Sequence, residues 1–533
     1  MSRKKNTSVG LLEISGDLLK RILWLLTGIY IFLVMVIMPF YNTDGYARIG
    51  TNKYEFFDKV THGMAWFFLP VLILYGVWLL VATIKEKKPI AIKLSITDKF
   101  AIWYGIAVLL SYLFSPYKET TLYGDAWKGA IGWYMGALSQ LTFVASYLIV
   151  SRFWKGTTLL KLLFPVVFVV CGLGYLNRFG VYPIEMEAAN YMFISTIGNM
   201  NWYCGYLVTV FFGIIGFWMV SKLQNVQMGL FVGLLLVCFG SLVTQGSASG
   251  IFVLAVMLVV LYLLAMKNSE YMERFWLMCS LLALACVITL GVRTCYPEAI
   301  TFQDGLIDLL TNTLLPIPLL VLCVVVYVLL CKFNKKKAYP AAVFTRIGYV
   351  GAGLCVLLFV AYIFLLTLNT LKPGSIGPLS ELGAFIFDGG WASNRGATLR
   401  AGVFTFLNQD ILGKLFGVGP DCMAMYIYTE GSEELLAILK KQFNSLTLTN
   451  AHCEWLSVLA TTGIAGAVGY IGMIVSAIVR FLKQRDKNAM IFACGLGLLA
   501  FTVNNVFSFQ QAMNTTTMFL VLGIGEALYK QEN

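Results

Sequence analysis

Charge is scarce in this chain and histidine scarcer: 12% of its 533 residues are Asp, Glu, Lys or Arg, and only His62 and His452 are histidine. So little charge cannot cover the exterior of a water-soluble protein of this length, which would divide into several domains with charged surfaces. Two histidines, and no Asp-x-Asp in the segments assigned below to the outer face, offer no metal-ligand cluster, so no metal and no cofactor are expected. Acids within apolar runs are rare. Glu526 is the clearest, and its charge is expected to snorkel to the inner interface. A proton or ion pathway would want more such acids. Despite the formal net charge of +12, no basic stripe interleaves with aromatics, and no nucleic-acid partner is expected. The twelve cysteines lie mostly inside apolar runs, as at Cys171, Cys238, Cys279 and Cys323, which argues against a disulfide framework. No repeat relates the two halves, whereas many secondary transporters carry inverted repeats.

What the chain has in abundance is apolar surface. Hydrophobic residues make up 59% of it, and the mean hydropathy is +0.78. The solvent for such a chain is a lipid bilayer. Fourteen apolar windows, each near the length that crosses a bilayer, run from 22–40 to 512–528, and include 131–151 and 489–508. The expected fold is therefore all-α: a polytopic transmembrane bundle with helices 1–11 in residues 1–367, a long extracytoplasmic loop at 368–450 and helices 12–14 in 451–533. The first apolar stretch, from Ile22, is too long for a signal peptide and is read as a retained span. With both termini in the cytoplasm, 26 of the 39 Lys and Arg fall inside. Of the 13 outside, six lie in the long loop, where the positive-inside rule does not apply. The chain is thus expected to cross its membrane with both termini on the cytoplasmic side.

One stretch stands apart. In NAHCEWLSVLATTGIAGAVGYIG, His452 precedes a span, with Leu456, Gly463 and Gly466 at fixed offsets, and upstream SNRGATLRAGVFTFLNQDILGKLFGVGPDCM places Arg395 before a Gly417 to Pro420 turn. This pattern resembles the O-antigen ligase and polymerase family, whose signature is a His-Asn pair, a Leu three residues on, and Gly-x-x-Gly entering the next helix. Cys453 stands where the family has Asn, and Leu399 where an aromatic is common. ISTIGNMNWYCGYL is similar to the family's Gly-Asn-x-Asn element through Gly198, Asn199 and Asn201. LYGDAWKGAIGWY is similar to its outer-loop segment, with Lys128 as the basic residue. In TQGSASG, Ala248 stands where the family often has Arg.

The resemblance implies a helical glycosyltransferase of the polytopic, GT-C-like class, acting at the outer face of the membrane on a glycan carried by polyprenyl diphosphate, with a glycan or lipid acceptor. A diphosphate leaving group needs its developing charge stabilised, and without metal ligands that falls to cations. Arg395 is the first choice, because a guanidinium grips phosphate oxygens at two points. Arg400, Lys128, Arg178 and Arg293 are expected as outward-facing reserves. His452 can accept the proton of the incoming hydroxyl or hydrogen-bond the diphosphate. Asn199 and Asn201 either meet sugar hydroxyls or satisfy backbone at a span end. Trp127 and Trp202 are further candidates to stack on sugars. His62 reads as an interface residue. Two rivals stand beside this reading: a polysaccharide flippase, and a transferase using a polyprenyl monophosphate, which would draw on Asp44, Glu55 and Asp58 of the first outer loop.

Overall fold

The computed structural model describes residues 2–86, 93–124, 135–299, 305–444 and 448–532. A backbone in lipid must satisfy its own N–H and C=O groups, and an apolar run does so by coiling into a helix. The chain is accordingly almost all helix. Its first half comprises α1 (Ser2–Phe32), α2 (Ile49–Glu86), α3 (Ile96–Phe114), α4 (Lys118–Tyr123), α5 (Ala137–Phe153), α6 (Leu163–Asn177), α7 (Met200–Val220), α8 (Asn225–Thr244), α9 (Ala248–Ala265) and α10 (Ser269–Cys295). A two-stranded antiparallel pair, Phe193–Ile194 with Gly198–Asn199, leads into α7. Then follow α11 (Gly305–Thr311), α12 (Pro316–Lys335), α13 (Ala341–Leu371), α14 (Trp391–Leu407), α15 (Ile411–Phe416), α16 (Met423–Glu430), α17 (Glu433–Phe443), α18 (Glu454–Leu482), α19 (Ala489–Asn504) and α20 (Ala512–Glu532).

Each of the fourteen windows falls on a helix, but among the described residues eleven helices are long and apolar enough to cross a membrane. Two more, Ala137–Phe153 and Ala489–Asn504, are apolar but shorter. The last, α20, is diluted by Asn514, three threonines and Glu526. The protein is a multi-pass membrane protein built around α7, which buries more of its length than any other of the eleven. Helix α7 packs along α19, α18 along α3, and α20 along α5.

The segment 368–450 is a folded cap and not an open loop. Helices α14, α16 and α17 close over a small core of their own, with Ala397, Ala401, Met423, Ile427, Leu435 and Leu439 buried in it. Local signals explain α17: Ser432 caps it by accepting from Leu435 N–H at 3.2 Å, Glu433 and Glu434 occupy its first turn, and Lys440 and Lys441 its last. These charges complement the helix dipole.

At the end of the bundle opposite the cap, ion pairs join four helices. Asp98 of α3, wholly buried, lies 2.8 Å from Lys530 of α20 and 3.7 Å from Arg152 of α5. Glu526 is also wholly buried and meets Arg480 of α18 at 2.8 Å. It therefore does not snorkel. A carboxylate paired with a guanidinium inside the bundle has its counter-charge at hand and need not reach the interface.

Candidate functional site

Arg395 and His452 come together on one short connection, residues 505–511, between α19 and α20. Ala392, Ser393 and Asn394 all have positive φ, so the regular part of α14 begins at Arg395. Its guanidinium donates through Nε and Nη2 to the Phe507 carbonyl, at 3.4 and 3.2 Å, and through Nη1 to the Ala392 carbonyl at 3.0 Å. It also lies over the Phe507 ring, 5.7 Å from the centroid. Two residues on, the Phe509 ring meets the His452 imidazole edge to face at 5.0 Å.

His452 itself sits in a strained turn. Its φ is +48°, a region that costs a non-glycine residue on the order of 1–3 kcal/mol. Its N–H donates to Asn450 Oδ1 at 2.9 Å, while its Nδ1 is buried without a hydrogen-bond partner among the described residues. Burial first, and then the charge of Arg395, pull its pKa down to about 4, against an opposing contact with the Asn450 backbone. The ring is thus neutral near pH 7 and available both to accept and to donate.

A buried polar chain runs behind this pair. Glu454, the first residue of α18, accepts from Tyr470 Oη and from Asn505 Nδ2, and donates its N–H to the Asn505 carbonyl at 2.9 Å. Asn505 Oδ1 accepts from Asn504 Nδ2 at 3.3 Å, and Asn504 Oδ1 accepts from Cys204 Sγ at 3.6 Å. From Cys204 the chain passes to Ser249, Ser247 and Asn201, at 3.5, 2.8 and 2.7 Å. It thereby links the Gly-Asn-x-Asn element, the turn before α9 and the His452 segment at one end of the bundle.

The Gly417 to Pro420 turn docks against α18. Helix α18 breaks at Gly463, where φ is +66°. The break leaves the Ala460 and Thr461 carbonyls to the turn, which supplies Val418 N–H at 3.2 Å and Gly419 N–H at 2.9 Å. Ser111 Oγ also donates to Thr461 O, at 2.9 Å. Beside the turn is a narrow cleft of about 40 Å³ whose lining includes Tyr104, Gln140, Asp421, Asn450, Phe509 and Gln510. It opens next to His452, whose turn and ring contact are made by Asn450 and Phe509.

The remaining candidates are placed differently. Arg400 donates to Phe387 O at 3.0 Å and lies 5.6 Å over the Phe387 ring. Arg178, expected to face outward, is wholly buried and donates to the carbonyls of Tyr191 and Gln245. Arg293, 6% exposed, pairs with Asp308 at 2.7 Å and donates to Thr311 Oγ1 at 2.7 Å. Both are tertiary ties, because each finds acceptors that lie far along the chain or in the next helix. Asn199 caps α7, its Oδ1 accepting from Asn201 N–H at 2.9 Å, and Asn201 belongs to the polar chain above. Lys128 and Trp127 lie outside the described residues. Trp202 is buried. Cys453 gives α18 no side-chain cap.

Asp44, Glu55 and Asp58 are taken up in pairs with Arg48, Lys59 and His62. All twelve cysteines are free. Among the described residues no group of three or more His, Cys, Asp or Glu is arranged to hold a metal ion.

Sequence reasoning missed Asn505, Phe507, Phe509 and the role of Glu454. A signal was present in NNVFSFQQ, which sets amides and aromatics between two apolar runs. Compared with known proteins, the chain matches no family model, no curated protein and no solved structure.

Proposed function

We propose that this protein is a membrane glycan transferase of the O-antigen ligase and polymerase type, moving a saccharide chain from polyprenyl diphosphate to an acceptor hydroxyl at the outer face of the cytoplasmic membrane. The observation that carries the reading is the pairing of Arg395 and His452 on Phe507 and Phe509 at the cap end of the bundle. The basic runs 332–337 and 480–487 flank the cap from the opposite side of their spans, which supports an outer position for it.

In the proposed reaction the acceptor oxygen attacks the anomeric carbon from the face opposite the diphosphate. The bond from that carbon to the diphosphate oxygen breaks, the configuration inverts, and polyprenyl diphosphate leaves. Arg395 meets the charge that develops on the leaving oxygens. His452 takes the hydroxyl proton at Nδ1 or hydrogen-bonds the diphosphate. A base near pKa 4 is weak, but a bound diphosphate brings negative charge that offsets Arg395 and raises the affinity of the ring for a proton. The transfer is read as metal-independent, with cations of the chain in place of a metal.

The test is reconstitution with purified lipid-linked oligosaccharide, scoring product length with and without a second acceptor. Longer lipid-linked chains identify a polymerase, and release of glycan from the lipid to the acceptor identifies a ligase. No turnover of donor under either condition sinks the reading, and loss of transfer with chelator removes its metal-independent part. Orientation is checked separately by a cysteine at exposed Glu434 of α17 in a background lacking the exposed Cys295 and Cys355. It should react with a membrane-impermeant reagent in intact cells.

A further inference from the structure

Both platforms of the candidate site, Phe507 and Phe509, belong to the connection 505–511, so whatever fixes this connection fixes the pair. Its backbone carries little regular structure of its own between α19 and α20. Its polar side chains do little to anchor it outward either: Ser508 Oγ, Gln510 Nε2 and Gln511 Nε2 are buried without hydrogen bonds among the described residues. Gln510 Oε1 is held by Gln140 Nε2 at 2.6 Å. A reciprocal attachment holds the start of the connection, where Glu454 and Asn505 exchange two bonds. Glu454 N–H donates to Asn505 O at 2.9 Å, and Asn505 Nδ2 donates back to the Glu454 carboxyl. The other carboxyl oxygen is held by Tyr470 Oη, whose ring packs against Tyr104 at 5.0 Å. Glu454 is wholly buried, and its side-chain bonds come from a hydroxyl and an amide, not from a cation.

A carboxyl is an expensive group to bury for shape alone. Here it sits two residues after His452 and bonds the residue two before Phe507, so it spans the two halves of the site. We infer that Glu454 is a positioning residue: through its reciprocal bonds with Asn505 it sets the connection 505–511 and thereby the alignment of Arg395 with His452. The inference rests on the function proposed above only for its catalytic consequence; the clamp itself is independent of the reaction. A carboxamide can replace the carboxyl, because its oxygen accepts from Asn505 Nδ2 while its Nε2 donates to Tyr470 Oη. An alanine can do neither.

The experiment pairs amide hydrogen exchange with transfer kinetics in the reconstituted full-length protein, for Glu454→Gln, Glu454→Ala and Asn505→Ala. Asn505→Ala keeps the backbone bond and leaves α18 intact, so it stays informative if Glu454→Ala fails to fold. Exchange within 505–511 should rise at least tenfold in the two Ala variants and stay parental in Glu454→Gln. The kcat should fall at least tenfold in the same two variants with KM for the donor within about twofold, the pattern of lost alignment and not lost binding. Unchanged exchange in Asn505→Ala overturns the clamp. Raised exchange with parental kcat overturns the positioning role and leaves a structural tie. Raised exchange in a protein whose parent transfers no glycan keeps the clamp and sinks the proposed function instead.

Discussion

Gly417 and Gly463 each lie against the backbone two residues before the other, where the cap rests on α18. A Cβ on Gly417 would stand 2.2 Å from the Thr461 carbonyl carbon, and one on Gly463 would stand 2.3 Å from that of Leu415. Both residues have positive φ, +78° and +66°. Alanine at either position therefore meets a conformational cost of about 1–3 kcal/mol together with an overlap against backbone that cannot rotate away. Gly417→Ala and Gly463→Ala should lower the thermal midpoint of the purified protein and expose the cap, residues 391–444, to protease. Gly351→Ala, at a helical position with nothing within 4 Å, is the control and should be neutral. Parental melting in both variants would show that the close approach is not needed.

Which parts of this architecture can be read from residues alone follows from the range of the forces involved. A span announces itself locally, because twenty apolar residues in a row have only one use, and every window found that way is a helix. The cap does not. Helices such as α15 and α16, with six and eight residues, are too short for a periodic pattern to stand out. Helix α17 does carry a complete set of cap, dipole and apolar-face signals in Ser432, the two glutamates, the leucines and the two lysines, and reading 368–450 as one long loop passes over them. Arg395 and His452 are identifiable by motif and do come together. Arg178 and Arg293 fit no such motif, and that they are buried ties and not outward-facing reserves depends on tertiary acceptors that lie elsewhere in the chain. Glu454 stands two residues after His452, an offset that puts the two on different helix faces, and its partners Asn505 and Tyr470 lie across the bundle.

Arg178 should behave as a structural residue. In Arg178→Ala the buried Gln245 carbonyl loses its donor, and an unsatisfied buried group costs about 1–3 kcal/mol. Folded yield by fluorescence-detected size exclusion should fall, with Arg178→Lys intermediate because an ammonium cannot hold the Tyr191 and Gln245 carbonyls in the same fork geometry. Parental yield with a raised KM for the donor would return Arg178 to the binding site.

At Arg395 the expectation reverses. Its bonds to Phe507 and Ala392 are made by a part-exposed fork, so Arg395→Ala should fold and retain little transfer. Arg395→Lys should keep part of the activity, since charge survives and the two-point grip does not. Equal turnover in both variants and the parent would remove this residue from the chemistry.

His452 separates the two roles its ring could play. His452→Ala should insert and purify normally, since the stability of α18 comes from the apolar run beyond Gly463, and should lose about a hundredfold to ten-thousandfold in rate if the ring is the base. His452→Gln still hydrogen-bonds a diphosphate but takes no proton, so near-parental turnover in Gln excludes the base role, and near-parental turnover in Ala excludes both. The pH profile gives an independent reading. The active form is the neutral ring, and its pKa is lowered to about 4, by burial first and by Arg395 second. Activity is therefore present above that value and lost as pH falls through it. For kcat/KM, which reports the free enzyme, the parent should show no inflection near the ordinary histidine value of about 6.5. Removing the Arg395 charge takes away one of the two depressing causes, so the acid limb of Arg395→Ala should move upward toward that value, while that of Arg395→Lys should stay lower. A parental limb near 6.5, or one that ignores the charge at 395, would show that the two residues do not act on each other as their geometry requires.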